Sequence, residues 1–157
     1  ARRSLGIALA DIGQLDEAID QLKNAIKLDS KDFQAYAVLS KVYYDNSDRD
    51  KAFESINKSL EIKPDFHQSC HYMAYLLYQS ANAKDAINYI EIACEKKPRD
   101  AKYLITHGNI LEALHRYDEA LDKFKQSVSI DPSKYYAWNN LGNVAKSLNM
   151  FEYALHY

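Results

Sequence analysis

The three prolines of this chain, Pro64, Pro98 and Pro132, are evenly spaced: the interval from the first to the second is repeated from the second to the third. Five alanines, Ala18, Ala52, Ala86, Ala120 and Ala154, keep the same interval. A third series, Gly6, Ser40, Ala74, Gly108 and Gly142, is small at every position, and so is a fourth, Ala25, Ser59, Ala93 and Ser127. Four registers in phase over 157 residues are an internal repeat. A period of this length means stacked supersecondary units, each too small to bury its apolar face alone.

The unit is helical. Only four glycines and three prolines interrupt the chain, and no Val/Ile/Thr alternation marks strands. Within "HQSCHYMAYLLYQS", Cys70, Met73, Ala74 and Leu77 form an apolar stripe at i, i+3, i+4, i+7. Each period reads helix A, turn, helix B, turn. The small series calls for two helices crossing almost backbone to backbone. Large residues flank it: Leu5, Leu39, Met73 and Leu141 on helix A, with Leu22, Ile56, Ile90 and Phe124 on helix B. Asp16, Asp50, Asp85 and Asp118 open helix B, as caps or as partners of the helix dipole. The prolines follow the end of helix B, where a missing N–H stops it.

The period and these residues resemble the tetratricopeptide repeat family. "SLGIALADIGQLDEAIDQLKNAIKLDS" and "HRYDEALDKFKQSVSIDPSKYYAWNNLGN" lie close to its consensus, and the resemblance covers the whole chain. It implies an all-α fold, a right-handed α-solenoid of stacked hairpins in a single domain, 1–157. The repeats are expected at about 1–32, 33–66, 67–100, 101–134 and an incomplete 135–157, as a fragment of a longer protein. Three positions depart from the pattern. Ser30 replaces the proline, Lys96 stands where other units carry Leu28, Ile62 and Ile130, and His107 replaces the large apolar residue of helix A.

Helix A has a further apolar side, Ala8, Val42, Leu76, Ile110 and Val144, facing a neighbouring A helix. Its remaining face is therefore expected to form the inner wall of the curve. The register places Arg3, Ile7, Asp11, Gln34, Lys41, Tyr44 and Asp45 on that wall, then Gln68, His71, Tyr72, Tyr75 and Tyr78. Lys102, Thr106, Asn109 and Glu112 follow, and then Tyr136, Asn139, Asn140, Asn143 and Lys146. Asparagine both donates to and accepts from a peptide backbone. Tyrosine supplies apolar area at low entropic cost while keeping a hydroxyl. The groove residues expected to meet a ligand are Lys41, Tyr44, Gln68, His71, Tyr72, Tyr75, Tyr78, Lys102, Asn109, Asn139, Asn140, Asn143 and Lys146. Family members that grip a C-terminal carboxylate need Lys and Asn one turn apart, Asn on the next A helix, and Lys and Arg on a third. Ala37, Lys41, Tyr72, Lys102 and Thr106 do not supply that set. Neither do His71, Tyr75, Thr106, Tyr136 and Asn140.

The expected role is a protein-interaction scaffold or adaptor that holds a peptide segment or partner helix, and is not an enzyme. Two alternatives stand beside it. The stretch "AWNNLGNVAKSLNMFEYAL" resembles the repeat arm that recruits substrate in protein O-GlcNAc glycosyltransferases. The uncapped ends would also permit self-association. A net charge of −2 lacks the basic surplus of a nucleic-acid binder, and Asp11, Asp45 and Glu112 on the wall argue further against RNA. No run of 18 apolar residues suggests a membrane span. His67 and His71, four apart with Cys70 between them, lack a third metal ligand. No catalytic set, metal or cofactor is expected. Asp16–Glu17 and Asp118–Glu119 are read as caps, and His107 as a buried, hydrogen-bonded core histidine. Cys70 and Cys94 fall at apolar positions, read as buried thiols of a reducing, cytoplasmic compartment, with a disulfide left open.

Overall fold

A computed structural model describes residues 2–148. Those residues form α1 (Arg2–Asp11), α2 (Leu15–Leu28), α3 (Phe33–Asp45), α4 (Arg49–Ile62), α5 (His67–Gln79), α6 (Ala83–Lys96), α7 (Ala101–Ala113), α8 (Tyr117–Ile130) and α9 (Tyr135–Ser147). Among the described residues there is no strand. Odd-numbered helices are the A helices of the period and even-numbered ones the B helices. Ala154 and the rest of the fifth B helix lie outside the described residues. The helices fall into two compact units, Ala1–Met73 and Ala74–Tyr157.

The turn from A to B repeats as faithfully as the helices. Gly13, Ser47, Ala81 and His115, each one period after the last, all have positive φ, between 60° and 81°. Each ends its helix in the same way. The N–H of Ser47 donates to the Tyr44 carbonyl at 2.9 Å and that of Asp48 to the Tyr43 carbonyl at 2.8 Å. Ala81 with Asn82, and His115 with Arg116, repeat both bonds one and two periods on. A left-handed residue closing two orphan carbonyls is the usual stop for a helix, and glycine is its natural occupant. Only the first of the four is glycine.

The hairpins cross where the small series places them. A Cβ added to Gly6 would lie 2.7 Å from Leu22 Cγ. A Cβ on Gly108 would lie 2.5 Å from Phe124 Cε1. In both cases the obstructing side chain comes from the B helix of the same hairpin and is wholly buried, as is Ile56, which stands at the same offset from Ser40. Burying such side chains stabilises each crossing by about 1.5–3 kcal/mol apiece. Where the small residue is serine, its hydroxyl ties helices together. Ser40 Oγ donates to the Ala52 carbonyl of α4 at 2.8 Å. Ser59 Oγ donates to the Phe33 carbonyl at 2.7 Å, and Ser127 Oγ repeats this two periods later to the Ala101 carbonyl at 3.1 Å. Ser69 Oγ lies 2.6 Å from Ser59 Oγ. It must be the donor there, because the single Ser59 proton is already committed.

In the first unit, Leu22, Leu39, Val42, Ile56 and Met73 are among the large buried side chains. In the second, Ile105, Leu111, Leu121, Phe124, Leu141 and Val144 form one cluster, with Ile87, Tyr117, Trp138 and Leu148 packed on it. Of the second apolar side of helix A, Val42, Leu76, Ile110 and Val144 are buried. Ala8, on α1, is exposed.

Two local expectations are corrected. Asp16, Asp50, Asp85 and Asp118 lie within the first turn of their helices and complement the dipole. The N-cap position is Gln14, Asp48, Asn82 or Arg116 instead, and of these Asp48 and Asn82 accept from the N–H groups of Lys51 and Asp85. Asp16–Glu17 and Asp118–Glu119 are therefore first-turn charges, not caps. His107 is buried as expected, yet its Nδ1 has no hydrogen-bond partner among the described residues. Cys70 and Cys94 are both free. Cys70 Sγ donates to the Pro64 carbonyl at 3.4 Å, and burial pushes the Cys94 thiol up to about 11.

Candidate functional site

The face of helix A left over after hairpin packing carries most of the polar side chains singled out in the sequence. Each unit presents its own share.

In the first unit the share comes from α1, α3 and the start of α5. Lys41 Nζ donates to Asp45 one turn later on α3, at 2.8 Å. Asp45 repeats Asp11 of α1 one period on. The hydrogen bond to Asp45 raises the Lys41 pKa against the opposing effect of burial, and the charges of Asp45, Tyr72 and Asp11 add to it. Tyr72 is partly buried on α5. Burial lifts its phenol pKa; Lys41 counteracts the lift and Asp45 and Asp11 reinforce it. Four side chains from three successive A helices thus share one electrostatic neighbourhood. Tyr44 is partly buried and Gln68 exposed. His71 is only 4 % exposed, so its ring belongs to the interior and not to the wall. Arg3 is engaged as well. Its guanidinium donates to Asp32 at 2.6 Å, and the same carboxylate caps α3 by accepting from the Ala35 N–H.

In the second unit, Asn140 Nδ2 of α9 donates to Asn109 Oδ1 of α7 at 2.7 Å. This is the register of Tyr72 and Lys41 moved on by two periods, Asn140 corresponding to Tyr72 and Asn109 to Lys41. The bond leaves donors and acceptors over: one N–H and the oxygen of Asn140, and the amide nitrogen of Asn109. Asn139, Asn143, Lys102 and Lys146 are exposed, and Tyr75 and Tyr78 partly buried. Tyr78 and Glu112 occupy equivalent positions on α5 and α7. Burial raises the Tyr78 pKa and the Glu112 charge raises it further. Burial alone raises the Glu112 pKa. Thr106 is buried and turns its hydroxyl to the Lys102 carbonyl at 3.2 Å.

Sequence reasoning passed over several contributors. Asp32 and Asp100, two periods apart, cap α3 and α7, and a carboxylate just before the first periodic residue was the available signal. Trp138 Nε1 donates to the Pro132 carbonyl at 3.0 Å, placing the indole beside Lys125, Val128 and Leu141 on the α8–α9 side of the second unit. Among the described residues no group of three His, Cys, Asp or Glu side chains could hold a metal. No described helix is long and apolar enough to cross a membrane.

Comparison with known proteins sets these repeats in a family. Models described as TPR repeat or tetratricopeptide repeat match residues 6–47, 33–66, 73–135 and 101–152. The chain belongs to the tetratricopeptide repeat family. Among curated proteins, this TPR chain is 27% identical over 139 residues to the BBSome complex member BBS4 of Bos taurus, covering 88% of the chain and 27% of that protein. It is 24% identical over 149 residues to the protein O-mannosyl-transferase TMTC1 of Homo sapiens, covering 92% of the chain and 13% of that protein. The chain therefore spans about a quarter or less of these relatives. Among solved structures, PilF of Pseudomonas aeruginosa superposes with a TM-score of 0.90 at 16% identity, over 99% of this chain and 71% of that one. The fold class is an all-α TPR solenoid, and the coarse functional class is a protein-interaction repeat scaffold.

Proposed function

We propose that this chain binds an extended segment of a partner protein along the polar face of its A helices, without a carboxylate clamp. The observation that carries the reading is the Asn140–Asn109 bond, with Tyr72 and Lys41 at the same register in the other unit. Asn109 and Asn140, from neighbouring A helices, are held as a pair that keeps spare donors and acceptors. An extended backbone needs such groups at regular intervals, and pre-organised amides lower the ordering cost of binding. Packed helices lie about 8–10 Å apart, and an extended strand advances about 3.3 Å per residue. One repeat then serves roughly three ligand residues. The test is capture on a peptide array by the parent chain and by the double variant Asn109→Ala/Asn140→Ala, both checked for helicity. The reading requires clearly weaker capture by the variant. Equal capture by a folded variant refutes it.

A second reading has one observation in its favour. Two of the matched relatives are named as glycosyltransferases: TMTC1, and the UDP-N-acetylglucosamine–peptide N-acetylglucosaminyltransferase of Giardia intestinalis, 24% identical over 127 residues. In that case the same face recruits substrate for a catalytic domain encoded next to it. Reading the coding sequence on either side of this segment separates the two.

A further inference from the structure

The carboxylate of Glu112 differs from those of Asp45, Asp32 and Glu119. Asp45 has Lys41 at 2.8 Å, Asp32 has Arg3 at 2.6 Å, and Glu119 has Arg116 at 2.6 Å. Glu112 is partly buried yet, among the described residues, forms no ion pair and no side-chain hydrogen bond. No cation opposes the burial that raises its pKa. A half-desolvated carboxylate without a counter-charge is costly unless something supplies one. Its neighbour across the helix pair is Tyr78, one period earlier, close enough for its phenol to register the Glu112 charge. Tyr78 in turn lines a depression of about 480 Å³ together with Gln79, Ala81, Ala83 and Ala113, the residue after Glu112. The walls beside the phenol are thus mostly alanine, leaving room for a long side chain.

We infer that Tyr78 and Glu112 form a subsite for one basic side chain, arginine or lysine, of the bound segment. The aliphatic stem lies along the alanines, the cation meets the Glu112 carboxylate, and the Tyr78 ring and hydroxyl flank it. The inference rests on the peptide-binding reading above and adds the charge of one ligand residue.

The experiment is a positional-scanning library of nonapeptides, fluorescently labelled and panned on the parent chain, Glu112→Gln and Glu112→Arg. Glu112→Gln is isosteric and keeps the fold. The parent should enrich arginine or lysine at one position. Glu112→Gln should lose that preference by roughly tenfold, the worth of one charge-assisted hydrogen bond, while still binding the rest of the peptide. Glu112→Arg should turn the preference at that position to aspartate or glutamate. Binding by the parent without basic enrichment, or enrichment that survives Glu112→Gln, overturns the subsite and leaves the peptide reading standing. Failure of every nonapeptide to bind overturns both.

Discussion

Replacing His107 with leucine should stabilise the protein, and by more in acid than at neutral pH. The position belongs to the series Leu5, Leu39, Met73, His107 and Leu141, so leucine is the residue the packing expects. Two costs disappear with the imidazole. Its buried Nδ1 lacks a partner, and an unsatisfied buried group costs about 1–3 kcal/mol. Burial, assisted by the positive charges of Lys123 and Arg116 and opposed by Glu119, also lowers its pKa from 6.5 to about 4. The sign follows from proton binding. Below pH 6.5 the unfolded chain takes up a proton at this site that the folded chain refuses, so the unfolded state gains. Stability is complete above that pH, falls as pH drops toward 4, and levels off below it. The full loss is about 3 kcal/mol, and about 2 kcal/mol of it has accrued by pH 5. Urea unfolding of parent and His107→Leu, followed by circular dichroism at pH 7.5 and 5.0, checks this. The variant should be ahead by about 1–3 kcal/mol at pH 7.5, and the gap should widen by about 2 kcal/mol at pH 5.0. Other titrating groups cancel in the difference. A variant less stable at pH 7.5, or a gap that does not change with pH, would show that the imidazole is solvated or paired in solution.

Further outcomes follow from the packing. Gly108→Ala gains about 1 kcal/mol of helix propensity but drives a Cβ to 2.5 Å from the Phe124 ring; it should be destabilised overall by about 1–2 kcal/mol, and Phe124→Leu in the same chain should restore part of the loss. Among the described residues a Cβ on Gly142 meets nothing within 4 Å, so Gly142→Ala should raise the melting temperature, and a scan of the two variants side by side separates crowding from propensity. Ala81→Gly, at φ 60°, should stabilise by about 1 kcal/mol, read as a shift in urea midpoint. Ser127→Ala leaves the Ala101 carbonyl with one bond fewer and should cost about 1 kcal/mol by the same measurement.

The periodic part of this architecture was legible because it rests on volume. Only tiny side chains fit at Gly6, Ser40 and Gly108, and only large ones fill the space opposite, so the hairpins are written in residue size. Composition could not reveal the turn. Ser47, Ala81 and His115 take the left-handed conformation although none is glycine, because the two carbonyls closed there outweigh the steric cost. Cap positions were misread for a related reason. A carboxylate two places into a helix looks much like one just before it, and only backbone geometry distinguishes Asp50 from Asp48. On the polar face, periodicity named the side chains but not their depth. His71 sits on the expected side of α5 by angle and yet is buried, whereas Gln68, one turn earlier, is exposed. A helical wheel gives direction, and neighbours decide how much solvent reaches a given direction. The pairing of Asn140 with Asn109 depends in the same way on the distance between two helices, which no spacing within one helix encodes.

The side-chain ties within each unit are short in sequence: 12 residues from Ser40 to Ala52, 26 from Ser127 to Ala101 and 31 from Asn140 to Asn109. No remote stretch of chain has to be fetched before any of them can close. Loop-closure entropy is therefore met in small instalments, and the early steps of folding should be fast and able to start at more than one hairpin. The same economy governs lesions. A damaged crossing in one hairpin weakens its immediate neighbours first, so amide exchange should accelerate in a patch about one period wide and leave distant helices protected.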